Sequence, residues 1–354
     1  MIEQGGLATS IDLERLAAPD RELITVAIPV RNEEQFVGAC LRSVLDQEEA
    51  NLQVIVVDGA STDGTARAVV EFALADPRVQ LIHNPDRAIP RSLNLALRAA
   101  RGRWFIRVDG HATIPAGYLS RIVTHLRTGR WGGVGGRKDG VGITAAGRAI
   151  AAAMSSPFGV GNSTYHYGAR LQTVEHIPFG AYPTAVLRQV GGWDERLRVN
   201  QDFELDYRLR QRGYQLLFDP QLAIAWHCRQ SLAEVFAQYR RYGAGKALVA
   251  SLHPGSIRPR HLAAPLLVAV LASGVAVSPW SPWPLAVVGT TYLAAVGLAT
   301  MLTARPLPQW EARLRLPGAF VAMHLGWGIG FWHGMGRLIG RRIRRSPFAW
   351  GSPR

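Results

Sequence analysis

Between Leu23 and Val108 the apolar residues fall into short packets separated by polar turns. Leu23-Ile24-Thr25-Val26-Ala27-Ile28-Pro29-Val30 is a β-branched run of strand length, apolar enough to be buried on both faces. Glu33 to Gln47 follows, with Phe36, Val37, Cys40, Leu41, Val44 and Leu45 at helical spacing. A second strand is expected over Gln53 to Val57, then a turn through Gly59 and Gly64, then a helix whose apolar face is Ala66, Val69, Val70, Ala73 and Leu74. Val79 to His83 predicts a third strand, Ile89 to Ala100 a third helix and Trp104 to Val108 a fourth strand. Strands alternating with helices predict an α/β fold with crossovers and a mainly parallel sheet. Ligands on such sheets bind beyond the carboxyl ends of the strands.

The pattern changes after Gly132. Gly132 to Ala153 is rich in glycine and alanine; Arg137, Lys138 and Asp139 read as a loop, followed by a small-residue helix. Phe179 to Trp226 regains a globular pattern. Then Leu262 to Ala304 runs for 43 residues without Asp, Glu, Lys or Arg. At ~1.5 Å rise per residue such a run makes roughly two crossings of a ~30 Å hydrocarbon core. Ser278-Pro279-Trp280-Ser281-Pro282-Trp283-Pro284 breaks it in the middle, and its tryptophans suit an interfacial turn. The plainer alternative is a buried hairpin in a large soluble core. A third uncharged stretch, Leu316 to Met335, has arginines on both sides, at 305, 313 and 315 and again at 337, 341, 342, 344 and 345. Lys and Arg favour cytoplasmic flanks, so this segment either re-enters and returns or lies along the interface, unless the charge rule fails here.

These boundaries divide the chain into a polar N-terminal arm over residues 1–22, a catalytic-type domain over 23–230, an amphipathic interfacial segment over 231–260, and a membrane region over 261–354 with spans about 262–279 and 284–303, the segment 316–335 and a basic tail. The net charge is +14, and from Pro259 onward ten arginines face one glutamate. A basic tail beside apolar helices fits anionic lipid head groups, and with no nucleic-acid motif present a nucleic-acid partner is not expected. Cys40 and Cys228 have neither metal-ligand nor redox spacing, as reduced thiols facing the cytoplasm would have it.

Four clusters carry chemistry. Asn32-Glu33-Glu34 follows the first strand, and Asp58-Gly59-Ala60-Ser61-Thr62-Asp63-Gly64-Thr65 follows the second. A strand-end carboxylate can accept hydrogen bonds from a base or ribose, although Asp63 could simply cap the next helix. Asp109-Gly110-His111 closes the fourth strand, where a carboxylate and an imidazole can face one divalent ion; the imidazole tilts preference from Mg2+ towards Mn2+. Asp202, Glu204 and Asp206 open a helix, where acids oppose the positive dipole end and one of them would suffice as a general base. Gln238-Tyr239-Arg240-Arg241-Tyr242 precedes the membrane run; Arg grips phosphate, and an aromatic ring offers a sugar a flat face.

In this order the clusters resemble the membrane-associated family 2 glycosyltransferases of GT-A fold, and within them the succinoglycan-biosynthesis type. Gly191-Gly192-Trp193-Asp194-Glu195 and Gln201-Asp202-Phe203-Glu204-Leu205 add to the match, which spans roughly Ile24 to Lys246. The resemblance implies a Rossmann-like sheet and an inverting transfer of a sugar from a nucleotide sugar, with UDP the expected nucleotide. It implies a lipid-linked acceptor such as a polyprenyl-diphosphate sugar at the cytoplasmic face of the inner membrane. Pro29, Asn32, Glu34, Asp58 and Asp63 would line the nucleotide pocket. Asp109 and His111 would occupy the metal motif for Mn2+ or Mg2+, with His227 a further ligand or an ordinary strand-end histidine. Asp202 would be the catalytic base, and Gln238, Arg241 and Tyr242 would close over the diphosphate and acceptor. His111, Gln201, Tyr242 and Gly59 depart from the family pattern, which leaves metal and donor base open. The alternatives are a processive polysaccharide synthase and a silent nucleotide-sugar-binding scaffold. A nucleotidyltransferase finds no support, because the early strand-turn carries acids instead of the basic glycine-rich loop that would hold a triphosphate.

Overall fold

The computed structural model describes residues 20–48 and 51–345. The arm expected over residues 1–22 lies outside the described residues except for its last three, which open the first strand. The chain folds into two compact units that interleave in sequence. The first comprises the residues up to Gly135, Thr173–Trp193 and Arg208–Leu217; the second comprises Gly136–Gln172, Asp194–Tyr207 and the residues from Phe218 onward. The span 23–230 is therefore shared between the two, and its segments 136–172, 194–207 and 218–230 group with the apolar helices.

In the first unit, β1 (Asp20–Val30) lies between β2 (Leu52–Asp58) and β4 (Gly102–Arg107), with β3 (Val79–His83) beyond β2. All three pairings are parallel: Ile24 to Val30 against Leu52 to Asp58, Val54 to Asp58 against Val79 to His83, and Ile24 to Ala27 against Trp104 to Arg107. Every residue of β2 is buried. This is why these strands read as unbroken apolar runs rather than alternating ones. Pro29 is tolerated in the central strand because the β4 register ends at Ala27, before the missing N–H of Pro29 would be needed. The helices α1 (Val37–Leu45), α2 (Thr65–Ala75) and α3 (Ile89–Ala99) connect the strands. Beyond β4 the sheet changes sense. After β5 (Ala112–Thr113), α4 (Tyr118–Arg127) and β6 (Trp131–Val141), the strand β8 (Ala181–Pro183) pairs antiparallel with both β4 and β6. The sheet is thus mixed, its parallel part being the half that sequence alternation reveals.

Two expectations change here. The helix foreseen over Glu33 to Gln47 begins only at Val37, because Glu33 to Phe36 form a turn closed by Phe36 and Val37 N–H donors on the Glu33 carbonyl, both at 2.8 Å. Arg137, Lys138 and Asp139 lie inside β6 instead of a loop. Glycine in this strand marks close approach. A Cβ at Gly136 would sit 1.8 Å from the Leu222 carbonyl oxygen, and one at Gly132 would meet Tyr214 at 2.5 Å. Arg137 and Asp139, two apart on one face of the strand, pair at 2.7 Å.

The second unit holds α5 (Ala145–Met154), α6 (Pro157–Val160), the start of α8 (Gln201–Gln211), the end of β9 (Gln215–His227), and four C-terminal helices; β7 (Gln172–Val174) and α7 (Thr184–Val190) complete the chain. The C-terminal helices are α9 (Leu232–Leu252), α10 (Pro259–Val277), α11 (Trp283–Thr303) and α12 (Trp310–Arg345). Among the described residues, α10 and α11 are the two helices long and apolar enough to cross a membrane, and they sit within three residues of the expected spans. Their apolar side chains face outward: Leu266 is 63% exposed, Val287 61% and Met301 72%. That rules out the buried-hairpin alternative, since a soluble core would cover these residues. The segment 316–335 lies within the single 36-residue helix α12 and does not turn back on itself, so a re-entrant loop is excluded.

Glycines hold α12 against α9. A Cβ at Gly330 would lie 2.0 Å from the Arg240 carbonyl oxygen, one at Gly326 2.7 Å from that of Phe236, and one at Gly334 2.8 Å from that of Ala244. From the other side, a Cβ at Gly243 would lie 2.1 Å from the Trp327 carbonyl oxygen. Small residues four apart let two helix backbones approach closely. Gly330→Ala should therefore destabilise the folded protein by about 1–3 kcal/mol, as overpacked sites do. Gly336→Ala, which meets nothing within 4 Å, should not. Thermal unfolding of the two variants in one detergent tests this; equal melting temperatures would refute close packing at the seam.

Candidate active site

In the first unit the loops after β1 and β2 are laced together. The Asn32 amide donates to Ser61 Oγ (3.0 Å), while Asn32 Oδ1 accepts from the Thr62 amide (2.8 Å). The Glu33 amide donates to Thr65 Oγ1 (2.8 Å), and the Glu34 amide to Asp63 Oδ2 (3.3 Å). Asn32 and Ala60 both sit in the left-handed region, at φ 55°. For Asn that conformation is common; for Ala it is held only because the surrounding bonds fix it. Asp58 ends β2 with a nearly buried carboxylate that accepts the Ser61 amide (3.2 Å) and lies 3.6 Å from His83 Nδ1. Asp63 stands one residue before Gly64, the N-cap of α2, so it is not the cap itself, but its carboxylate meets the first helical residue, Thr65. Burial opposes its charge, but hydrogen bonds from the Thr65 hydroxyl (2.6 Å) and amide (3.1 Å) prevail and hold its carboxyl below the ordinary value.

Asp109 and His111 stand on the same rim, after β4. Arg107 grips Asp109 Oδ1 through Nε (2.9 Å) and Nη2 (2.8 Å), and its guanidinium lies 5.6 Å from the Phe179 ring. His111 Nδ1 pairs with Glu33 Oε1 at 2.8 Å. Gly110 makes the approach possible: a Cβ there would meet Val30 Cγ1 at 2.7 Å and Glu33 Cγ at 3.3 Å. Sequence reasoning singled out Glu34, whose carboxylate lies 3.9 Å from Arg67 on the surface, whereas Glu33 is the acid that reaches His111. Arg107 was also missed, although its place two residues before Asp109 was a readable sign. Among the described residues no group of three or more His, Cys, Asp or Glu is arranged as a metal site, and His227, at the end of β9 in the second unit, belongs to no such group. The donor chemistry on the rim nonetheless suits a divalent ion: carboxylate oxygen from Asp109 and Glu33 and an imidazole nitrogen from His111.

The second unit separates the three acids of α8. Glu204 is buried and pairs with His253 Nε2 at 2.9 Å, and Asp206 is fully buried. Asp202 alone is half-exposed, with Gln201 Nε2 at 3.5 Å. It is the one acid of the three that a substrate can reach. Asn200, at φ 60°, donates from Nδ2 to the Tyr242 carbonyl (2.9 Å), which ties the start of α8 to α9. On α9, Gln238 Nε2 donates to the Tyr242 hydroxyl (3.0 Å), whereas Arg241 is exposed. Tyr165 completes this neighbourhood. Burial pushes its hydroxyl up to about 12, and the charges of Tyr242, Arg260 and Asp202 act on it.

The two cysteines are buried and free. Burial, then the charges of Asp109 and Glu33, raise the Cys40 thiol far above its ordinary value, and burial raises Cys228 to about 11. Neither thiol should react with a disulfide reagent in the folded protein near neutral pH, and both should react in denaturant. Colorimetric thiol titration tests this; rapid labelling of Cys40 in the native state would contradict the acidic surroundings described for it.

The family model for glycosyl transferase family 2 matches residues 25–190. Succinoglycan biosynthesis protein ExoA of Rhizobium meliloti (strain 1021) is 32% identical over 319 residues, covering 87% of this chain and 93% of that protein. A dolichyl N-acetyl-alpha-D-glucosaminyl phosphate 3-beta-D-2,3-diacetamido-2,3-dideoxy-beta-D-glucuronosyltransferase of Methanococcus voltae is 25% identical over 236 residues, 64% of this chain and 73% of its own. Among solved structures, mannosyltransferase PcManGT from Pyrobaculum calidifontis, in complex with GDP-Man and Mn2+, superposes with a TM-score of 0.55 at 20% identity, covering 93% of this chain and 90% of that one. The last likeness establishes a GT-A fold.

Proposed function

Because the chain belongs to glycosyl transferase family 2, we propose that it moves a sugar from a nucleotide sugar, UDP-linked, to a lipid-linked acceptor at the cytoplasmic face of a membrane, inverting the anomeric centre. The product enters polysaccharide or glycolipid synthesis. Supporting the membrane part are the outward apolar faces of α10 and α11, and the relatives named for succinoglycan biosynthesis and for a dolichyl phosphate substrate.

The observation that carries the chemical assignment is the sorting of the three α8 acids. With Glu204 on His253 and Asp206 fully buried, Asp202 is left as the general base. It takes the proton of the acceptor hydroxyl as that oxygen bonds to the anomeric carbon and the nucleoside diphosphate departs with the bonding pair. Asp58, Asn32 and Asp63 hold the base and ribose, and Pro29 and Glu34 shape the turn that carries them. A divalent ion, Mn2+ or Mg2+, would be held by Asp109 and His111 with Glu33 in support, and when bound would neutralise the departing diphosphate. Gln238, Arg241 and Tyr242 cover the diphosphate and acceptor, Arg241 supplying the charge. His227 stays outside this assignment.

Asp202→Asn should keep donor affinity and lose transfer by about 100- to 10,000-fold, the range of a positioned base. Donor titration and radiolabelled transfer measure the two halves, and undiminished turnover would remove Asp202 from the role. A single sugar added per lipid would distinguish this enzyme from a processive synthase. Chelation should abolish transfer, with Mn2+ restoring more than Mg2+. His111→Asp, by replacing the borderline nitrogen with oxygen, should reverse that order. Full activity in chelator would overturn the metal assignment.

A further inference from the structure

Resting on the reading of the chain as a transferase with a membrane-borne acceptor, we infer that Arg260 holds the diphosphate of that acceptor at the root of α10. Arg260 is the second residue of the first apolar helix, and Leu262 and Leu266, which follow it, are exposed. A guanidinium at such a helix end commonly snorkels outward to bulk head groups. Arg260 is instead half-buried and tied to side chains of its own unit. Its Nη1 donates to Asn162 Oδ1, and its Nε donates to His261 Nε2 at 3.1 Å.

Two short paths connect this guanidinium with the proposed base. His261 is buried and stands edge-on to Phe203, the residue after Asp202, with ring centroids 5.6 Å apart. Tyr165 lies within the electrostatic reach of both Arg260 and Asp202. Tyr167, whose hydroxyl donates to the Gly161 carbonyl at 2.8 Å, also feels Arg260. One neighbourhood of the second unit therefore combines a carboxylate for the acceptor hydroxyl, a forked cation a few side chains away, and an apolar helix leading off from the cation. Those are the three chemistries of an amphiphile with a sugar hydroxyl, a phosphate and a hydrocarbon tail. Arg suits the middle one because its planar fork matches phosphate oxygens two at a time. The same chemistry exists in bulk phospholipid, so the test separates the sources.

The full chain in nanodiscs of neutral phosphatidylcholine is assayed with two acceptors bearing the same sugar, one on a prenyl diphosphate and one on a neutral alkyl chain. Arg260→Gln should raise KM for the diphosphate acceptor by about tenfold, the scale of a lost charge-assisted contact. It should leave KM for the neutral acceptor and for the donor unchanged, and Arg260→Lys should recover part of the loss. Equal losses on both acceptors, or none, would overturn the assignment. Binding of farnesyl diphosphate and of farnesol without donor, followed by native mass spectrometry, gives a readout independent of transfer. The wild type should prefer the diphosphate and Arg260→Gln should not. If no acceptor is glycosylated but this preference holds, the functional reading fails while the Arg260 site stands. If phosphatidylglycerol displaces farnesyl diphosphate as well as unlabelled farnesyl diphosphate does, the site reads any phosphate head group, and its assignment to the acceptor fails.

Discussion

The lacing of two loops across parallel strand ends is the constraint on which the proposed donor rim depends. β1 and β2 deliver Asn32 and Asp58 to one edge, but parallel pairing alone would leave the following loops free to diverge. Side chains of Ser61, Asp63 and Thr65 take the backbone amides of Asn32, Glu33 and Glu34, while Asn32 returns the favour to Thr62. Each bond is worth only about 0.5–1.5 kcal/mol net. Together they hold Asn32 and Ala60 in left-handed conformations that unconstrained residues would leave, and they fix Glu33 where it meets His111. Asp109 is then oriented by Arg107 from its own strand. The rim is charged on both signs and closely paired, so its carboxylates are preorganised before any ligand arrives.

The second unit applies a different constraint. Asp202, the proposed base, lies at the start of α8, and the residue before that helix, Asn200, is bonded to α9 through the Tyr242 carbonyl. α9 is in turn pressed against α12 by glycines that leave no room for a methyl group. The chain thus couples the position of Asp202 to helices that continue into the apolar region. This explains why residues that look like an independent catalytic domain by motif group by contact with the C-terminal helices.

Legibility in the sequence followed the range of the interaction. Val79 to His83 was readable to the residue, and the two apolar spans to within three, because a short run between turns or a long uncharged stretch is defined by its own residues and needs no partner to be known. The turn at Glu33 to Phe36 was not, because its amides are satisfied by residues about thirty positions away. Glycines in β6 resemble a loop until Leu222 and Tyr214 are seen filling the space their side chains would need. Asp58, Asp109 and His111 stood out because strand ends are where ligands bind. That Glu33 is the acid meeting His111 is a matter of turn geometry that periodicity does not contain. Spacing could not say which of Asp202, Glu204 and Asp206 stays accessible; His253 and burial leave Asp202 the most exposed of the three. Tyr165 and Arg260 carry no local signal at all, since what brings them near Asp202 is the tertiary fold.

The central claim is that the rim of Asn32, Asp58, Asp109 and His111 holds a nucleotide sugar. A cryo-electron microscopy map of the enzyme with UDP and Mn2+ tests it most directly. The account predicts ribose density at Asp58 and an ion between the diphosphate and the Asp109–His111 pair. Nucleotide density at any other edge of the sheet, with this rim unchanged, would contradict it.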